Sequence, residues 1–429
     1  IQTVGLSPLQ LVLVGTTLEL TVFLFEVPTG VVADVYSRRL SLIIGFALIG
    51  AGFLVEGSIP TFAAMLVSQV LWGIGYTFTS GANQAWITDE IGEEKVGRAF
   101  MRSSQVGNII GIVGIVIAIS LGSLLINLPI VLGGVLFVTL AIFLALYMPE
   151  HGFTPVPTSQ RSSWQQMSGT LRGGFRMVRG RPVLLAIMGI GLFVGLYSEG
   201  YDRLGNAHLL KNFTLPDFGG LQPVAWIGGL GIIGSLLSTA ATQVVMKRLK
   251  MSDNSAMARA QFLIIGLLIG SLLVFALAGN FALAITAWWC IGIARTLYGP
   301  IENTWINQNL DSSVRATVIS MRGQVDAIGQ IVGGPPVGFI GERLGIRAAL
   351  VASGLILSPV LPLYLRFLRR ENNTPVVVEE GGPFLPHHVH QPGDAVRNDG
   401  LIALKADLDV AEPGIGQRRG FSFVSNTET

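Results

Sequence analysis

One cysteine in 429 residues excludes an intramolecular disulfide and a thiolate metal cluster. Cys290 lies inside an apolar run, where a free thiol serves packing. Charge is scarce too: Asp, Glu, Lys and Arg make up 13% of the chain, against roughly 25% in an ordinary soluble domain. So few charges cannot cover a solvated surface or form a phosphate-reading patch, which speaks against a cytosolic enzyme and a nucleic-acid binder. The mean hydropathy of +0.60 excludes a chain that stays unfolded in water. P-loop, nucleophile-elbow and zinc signatures are missing from the sequence, so ATP-driven transport and membrane hydrolysis have no support, and no cofactor is expected. His387, His388 and His390 cluster without partners at ligand spacing, and no metal site is expected there.

What the chain has is long apolar runs and 54 glycines. A window of about 20 residues finds eleven runs, at 9–32, 40–55, 62–88, 100–122, 128–148, 183–204, 221–246, 260–279, 281–306, 316–340 and 348–365. In hydrocarbon every backbone amide must be satisfied within its own segment or in a closed barrel. These runs lack the two-residue alternation of barrel strands, so they are helices. The expected class is an all-α polytopic membrane protein, with glycines letting helices approach closely.

Loop charge gives the orientation. Seventeen Lys and Arg residues fall in the loops on one side, from Arg38 and Arg39 to Arg366, Arg369 and Arg370, against three on the other, Lys211, Arg343 and Arg347. The rich side is expected to be cytoplasmic, with the C-terminus inside, in the plasma membrane. Eleven spans then put Ile1 outside, which suggests a missing first helix.

An internal repeat points the same way. A shift of 219 positions matches the third span to the ninth and the fourth to the tenth without a gap. Twelve identities fall between residues 73 and 122, among them Gly73/Gly292, Trp86/Trp305, Gln105/Gln324 and Gly114/Gly333. Six spans separate each matched pair, so two parallel six-helix bundles are expected, the first showing five of its six.

Ten charged residues fall inside spans: Glu19, Glu26, Arg102, Glu199, Asp202, Arg203, Arg295, Glu302, Arg322 and Asp326. Spans two, five, eight and eleven have none and are read as the lipid-facing set. Charges at spacings of four or seven share a helix face: Glu19 with Glu26, Glu199 with Arg203, Arg295 with Glu302, Arg322 with Asp326. Each costs about 2.5–3.5 kcal/mol at mid-bilayer, so they are expected to border a polar pathway, or else to be ion pairs that fix helix register. Gln69, Asn83 and Gln84 in the third span, and Ser235, Ser238, Thr239, Thr242 and Gln243 in the seventh, can line that pathway too.

Between the first two spans the chain reads Gly30-Val-Val-Ala-Asp34-Val-Tyr-Ser-Arg38-Arg39. It resembles the cytoplasmic signature G-x-x-x-D-R-x-G-R-R/K of the major facilitator superfamily, matching at Gly30, Asp34, Arg38 and Arg39 and departing at Val35 and Ser37. The preceding Glu26-Val-Pro28-Thr-Gly30 is similar to the E-x-P-T-G stretch of a bacterial drug-efflux-like branch. The resemblance implies a fold of two pseudo-symmetric six-helix bundles, with the first observed span as the family's second helix. Asp34 is expected near a helix N-terminus, and Arg38 and Arg39 as a latch to carboxylates on the opposite bundle when the cytoplasmic side is closed. Where the family carries a proton-linked Arg in its fourth helix, this chain has Gln69. The antiporter glycine-proline stretch of the fifth helix is reduced to Gly107, Gly111 and Gly114. Its repeat partner keeps Gly333, Gly334, Pro335 and Pro336, expected as a hinge at a close helix approach.

Residues 1–148 are thus expected as an N-terminal bundle and 183–370 as a C-terminal one. The stretch 149–182 between them, with Trp164, Met167, Leu171, Phe175 and Val178 beside five arginines, is read as an amphipathic linker helix, and 371–429 as a disordered cytoplasmic tail. The expected activity is secondary transport: a monomer moving a small organic, drug-like molecule outward against protons by alternating access. Removing a carboxylate from water favours its neutral form, so a cavity acid can load a proton on one side and release it on the other. Glu19 is the first candidate, then Asp202, Glu199 and Asp326, with Arg295 and Arg203 biasing them. A uniporter or symporter of a metabolite, and a sensor or scaffold that transports nothing, are the alternatives.

Overall fold

A computed structural model describes residues 4–155, 182–215, 223–308, 310 and 312–372. Every regular element among them is a helix: α1 (Pro8–Val35), α2 (Arg38–Ser58), α3 (Phe62–Thr79), α4 (Ala82–Ile91), α5 (Glu93–Leu124), α6 (Leu128–Tyr147), α7 (Pro182–Asn212), α8 (Pro223–Arg248), α9 (Asn254–Leu277), α10 (Phe281–Gln308), α11 (Ser312–Leu344), α12 (Ile346–Leu357) and α13 (Val360–Asn372). Caps set several starts. Ser7 forms a capping box with Gln10, and Ser37, Thr61 and Asp253 accept from backbone amides of α2, α3 and α9.

Ten stretches are long and apolar enough to cross a membrane, α3 with α4 forming one and α12 with α13 another. The eleventh long helix is α11, which carries Arg315, Arg322, Asp326, Glu342 and Arg343. The repeat survives into the helix ends. A shift of 219 carries the first residue of α3 onto that of α10, and the first of α5 onto that of α11. It also carries Gly81, where α3 passes to α4 with φ of +75°, onto Pro300 inside α10. One half breaks its helix with a left-handed glycine, while the other removes an amide donor at the same place. All but residues 149–155 and 182 of the expected linker, and all but 371 and 372 of the expected tail, lie outside the described residues.

The two halves are packed differently. Residues 182–372 share a large apolar core around Trp305, Tyr364, Phe275 and Met257, which Val12 of α1 joins. The first five spans rely more on backbone contact: a Cβ on Gly75 would stand 2.6 Å from the Gly45 carbonyl oxygen, and one on Gly50 2.8 Å from that of Gly134. Burial is uneven among the spans: the most apolar stretch of α9 is 50% buried, with one face packed on α10 and α12, whereas those of α5, α6 and α8 are 0%, 11% and 11% buried. The helix α2 runs past its apolar run to include Glu56.

The closest backbone approach links α7 and α11. A Cβ on Gly195 would lie 2.1 Å from the Asp326 carbonyl oxygen, and one on Gly333 2.3 Å from that of Leu196. Neither neighbour can rotate away. Gly195→Val is therefore expected to destabilise the protein by at least the 1–3 kcal/mol, roughly, of an overpacked core. Gly266→Val, at a site with no atom within 4 Å, serves as the control, and equal melting temperatures for the two variants would contradict the packing described.

Candidate functional site

The charge-poor end of the molecule is sealed where α1 crosses α7 and α11. Arg203 Nε donates to Glu199 Oε1 at 2.8 Å within α7, and this pair lies on the backbone of Gly15: a Cβ there would be 1.6 Å from Glu199 Oε1 and 2.0 Å from Arg203 Nε. The seal continues toward the start of α1. A Cβ on Gly334 would meet Thr16 Oγ1 at 2.6 Å, one on Gly338 the Val12 Cβ at 3.1 Å, and one on Gly341 the Pro8 Cβ at 2.9 Å. At the same end Gly228 of α8 faces Ile119 of α5. Of the predicted hinge residues, Gly334 thus joins the halves while Gly333 packs within its own. Pro335 and Pro336 do not interrupt α11, which stays helical from Ser312 to Leu344.

The charge-rich end is looser. A cavity of about 310 Å³ separates α1 from α11, lined by Val22, Phe23 and Glu26 on one side and by Ser320, Gly323 and Gln324 on the other. Gly30 has no atom within 4 Å of its open side, and neither do Gly107, Gly111 and Gly114. Glu19 sits between seal and gap, one helical turn, about 6 Å, beyond Gly15. It is half-buried and makes no ion pair or hydrogen bond with a described residue. The charges within electrostatic reach of it are Glu199, Arg203, Asp326 and Asp202.

Two further ion pairs among the intramembrane charges do not follow shared helix faces. Arg295 makes a two-armed contact with Asp202 of α7 rather than with Glu302, and Arg322 pairs with Glu302 of α10 rather than with Asp326. Both arginines reach across to a neighbouring helix on their long side chains, Arg295 with two hydrogen bonds to its carboxylate and Arg322 with one. Asp326 instead accepts from Gln330 Nε2 at 2.9 Å, and Tyr298 donates its hydroxyl to Glu302. Glu302 is 2% exposed. Arg322→Met is expected to cost about 3–5 kcal/mol of stability, because it strands a buried carboxylate. The double variant Arg322→Met/Glu302→Leu should recover most of it in thermal unfolding; a double variant no more stable than the single would contradict the pairing.

The signature residues lie at the charge-rich end. Asp34 is in the last turn of α1, not at a helix N-terminus; the cap of α2 is Ser37. Arg38 pairs with Asp89 of α4, Arg39 donates to the Ala145 carbonyl, and Glu150 accepts from the Ser37 hydroxyl at 2.7 Å and the Arg39 amide at 2.8 Å. All of these partners belong to the first half of the chain. Gln69 is buried and donates to Glu56 of α2 at 3.3 Å, so it faces its neighbour rather than the hollow. Asn83 and Arg102 are exposed.

Sequence reasoning missed Tyr201, Trp288, Tyr298 and Gln330. Tyr298 and Gln330 stand four residues from Glu302 and Asp326, a spacing that could have found them. Tyr201 and Trp288 carry no such spacing signal. They line a cavity of about 460 Å³ between α7, α8 and α10, and Arg295 is shared between that cavity and a second of about 260 Å³ between α7, α9, α10 and α11.

This arrangement of two repeated halves around a charged interior matches known proteins. The sequence profile of the Major Facilitator Superfamily matches residues 1–251. The MFS-type transporter YxaM of Bacillus subtilis (strain 168), itself uncharacterized, is 23% identical over 375 residues, covering 87% of this chain and 91% of that protein. Among solved structures, the nucleoside transporter NupG aligns at TM-score 0.64 with 17% identity, over 86% of this chain and 91% of that one. A bacterial homologue of the human lysosomal transporter Spinster, inward-facing and unoccupied, aligns at 0.64 with 15% identity, over 86% and 90%. The chain belongs to the major facilitator superfamily and is a multi-pass membrane transporter of that type.

Proposed function

We propose that this protein is a proton-linked secondary transporter of a small organic molecule, with the charge-rich end in the cytoplasm and the hollow open to that side. The family supplies the transporter; the coupling is read from Glu19. Its carboxylate has no partner among the described residues, it lies on the helix that crosses between the halves, and it stands one turn from an ion pair that rests on that helix. This placement carries the reading. A charged Glu19 competes with Glu199 for Arg203; a neutral one leaves the pair closed on Gly15. Taking up or releasing one proton therefore changes how tightly α1, α7 and α11 can meet, which is the step that alternating access requires. Asp202 and Asp326 lie within reach as relays.

The test begins with a thermal-shift screen of the full-length protein against drug-like and metabolite compounds at two pH values, followed by flux of each ligand in proteoliposomes. Accumulation against a gradient when a pH difference is imposed supports the reading. Flux that only runs downhill, whatever the pH difference, would make the protein a uniporter.

A further inference from the structure

We infer that the cavity between α7, α8 and α10 is the substrate subsite and that it takes a flat aromatic organic anion. The inference rests on the transporter reading and names its substrate class. At about 460 Å³ the cavity is within the range of small-molecule pockets. Three glycines, Gly231, Gly234 and Gly292, are among the residues that line it, and Gly231 has no atom within 4 Å. Trp288, Trp289 and Tyr201 line it too, with the Trp289 indole N–H fixed on the Leu230 carbonyl at 3.0 Å. A lining of bare glycine backbone and large rings suits a planar ring better than a branched chain, because flat faces stack without voids.

The charge of the ligand follows from Arg295. Among the described residues that line this cavity it is the one charged group, and it also lines the smaller cavity beyond. Asp202 and Asp326 line only the smaller one. A ligand in the larger cavity thus faces the guanidinium from the side its carboxylate partner does not occupy. The Arg295 and Asp202 side chains are 35% and 40% exposed, so an incoming carboxylate can share or replace the Asp202 contact without stranding a buried ion. Tyr201, its ring 5.3 Å from the guanidinium, helps hold Arg295 in place. Thr239 and Thr296 donate to carbonyls of their own helices, which leaves their oxygens free to accept from a polar ring substituent.

Equilibrium binding to the full-length protein in detergent, with no gradient present, tests this. The probes are 2-naphthoate, its neutral amide, 2-naphthylmethylammonium and the aliphatic anion octanoate, followed by calorimetry. Naphthoate is expected to bind at least about tenfold more tightly than the other three, the usual worth of a hydrogen bond to a charged group. Arg295→Gln should remove that preference, and Gly231→Leu, which fills open space and leaves the packing alone, should weaken naphthoate by a similar factor. Equal or tighter binding of the amide or the cation, unchanged binding to Gly231→Leu, or no binding of any probe would overturn the inference. Because binding needs no proton gradient, it can stand where proton coupling fails, and proton coupling can stand where this fails.

Discussion

Glu19→Gln is expected to abolish proton-driven accumulation while leaving ligand exchange across the membrane near the wild-type rate. With one proton exchanged per substrate, each unit of pH difference supports about a tenfold gradient, so a two-unit step should give the wild type roughly a hundredfold accumulation and the variant none. The glutamine keeps the size and polarity of the side chain and removes only its capacity to gain and lose a proton. The Glu199–Arg203 pair then remains closed on Gly15 or opens with substrate alone, which permits exchange and forbids coupling. Vesicle uptake with and without a pH difference separates the two. Loss of both activities would mean that Glu19 holds substrate or structure, and retention of both that the proton is carried elsewhere.

Gly15→Leu is expected to act on the conformational equilibrium itself. The seal at the charge-poor end depends on contact between the Glu199–Arg203 pair and bare backbone, and a side chain at Gly15 occupies the space of both. Glu199 is buried, so the pair cannot simply swing aside. The variant should disfavour the arrangement seen here by several kcal/mol and populate one with α1 drawn away from α7 and α11. Pulsed spin-label distances between the ends of α1 and α11 should lengthen at the charge-poor end and shorten at the charge-rich end. Transport should be lost in either direction, with the folded protein retained. Unchanged distances would show that the contact is not a gate.

The two repeated halves and the eleven long helices were legible because lipid imposes rules that a sequence obeys locally: apolar length, and a repeat whose helix starts keep one offset from α3 and α5 to α10 and α11. Partner choice was legible within α7, where Glu199 and Arg203 pair four residues apart, but not between helices. Arg295 and Glu302 share a helix face, but which carboxylate meets Arg295 is decided by the distance between α7 and α10, which no spacing within α10 encodes. The same holds for Gln69, whose partner Glu56 sits one residue past the end of an apolar run. Gly15 went unnoticed because a glycine in an apolar helix carries no signal until the helix that crosses it is known.

Side-specific labelling tests most directly whether one hollow opens to one side at a time. In a Cys290→Ala background, an impermeant maleimide should react with Ser320→Cys, in the gap between α1 and α11, from the charge-rich side only, and with Thr16→Cys, under the seal, from neither side. A bound ligand or an imposed pH difference should then expose Thr16→Cys from the opposite side while the reactivity of Ser320→Cys falls. Both positions reacting together, each from its own side, would describe a continuous channel and contradict the account.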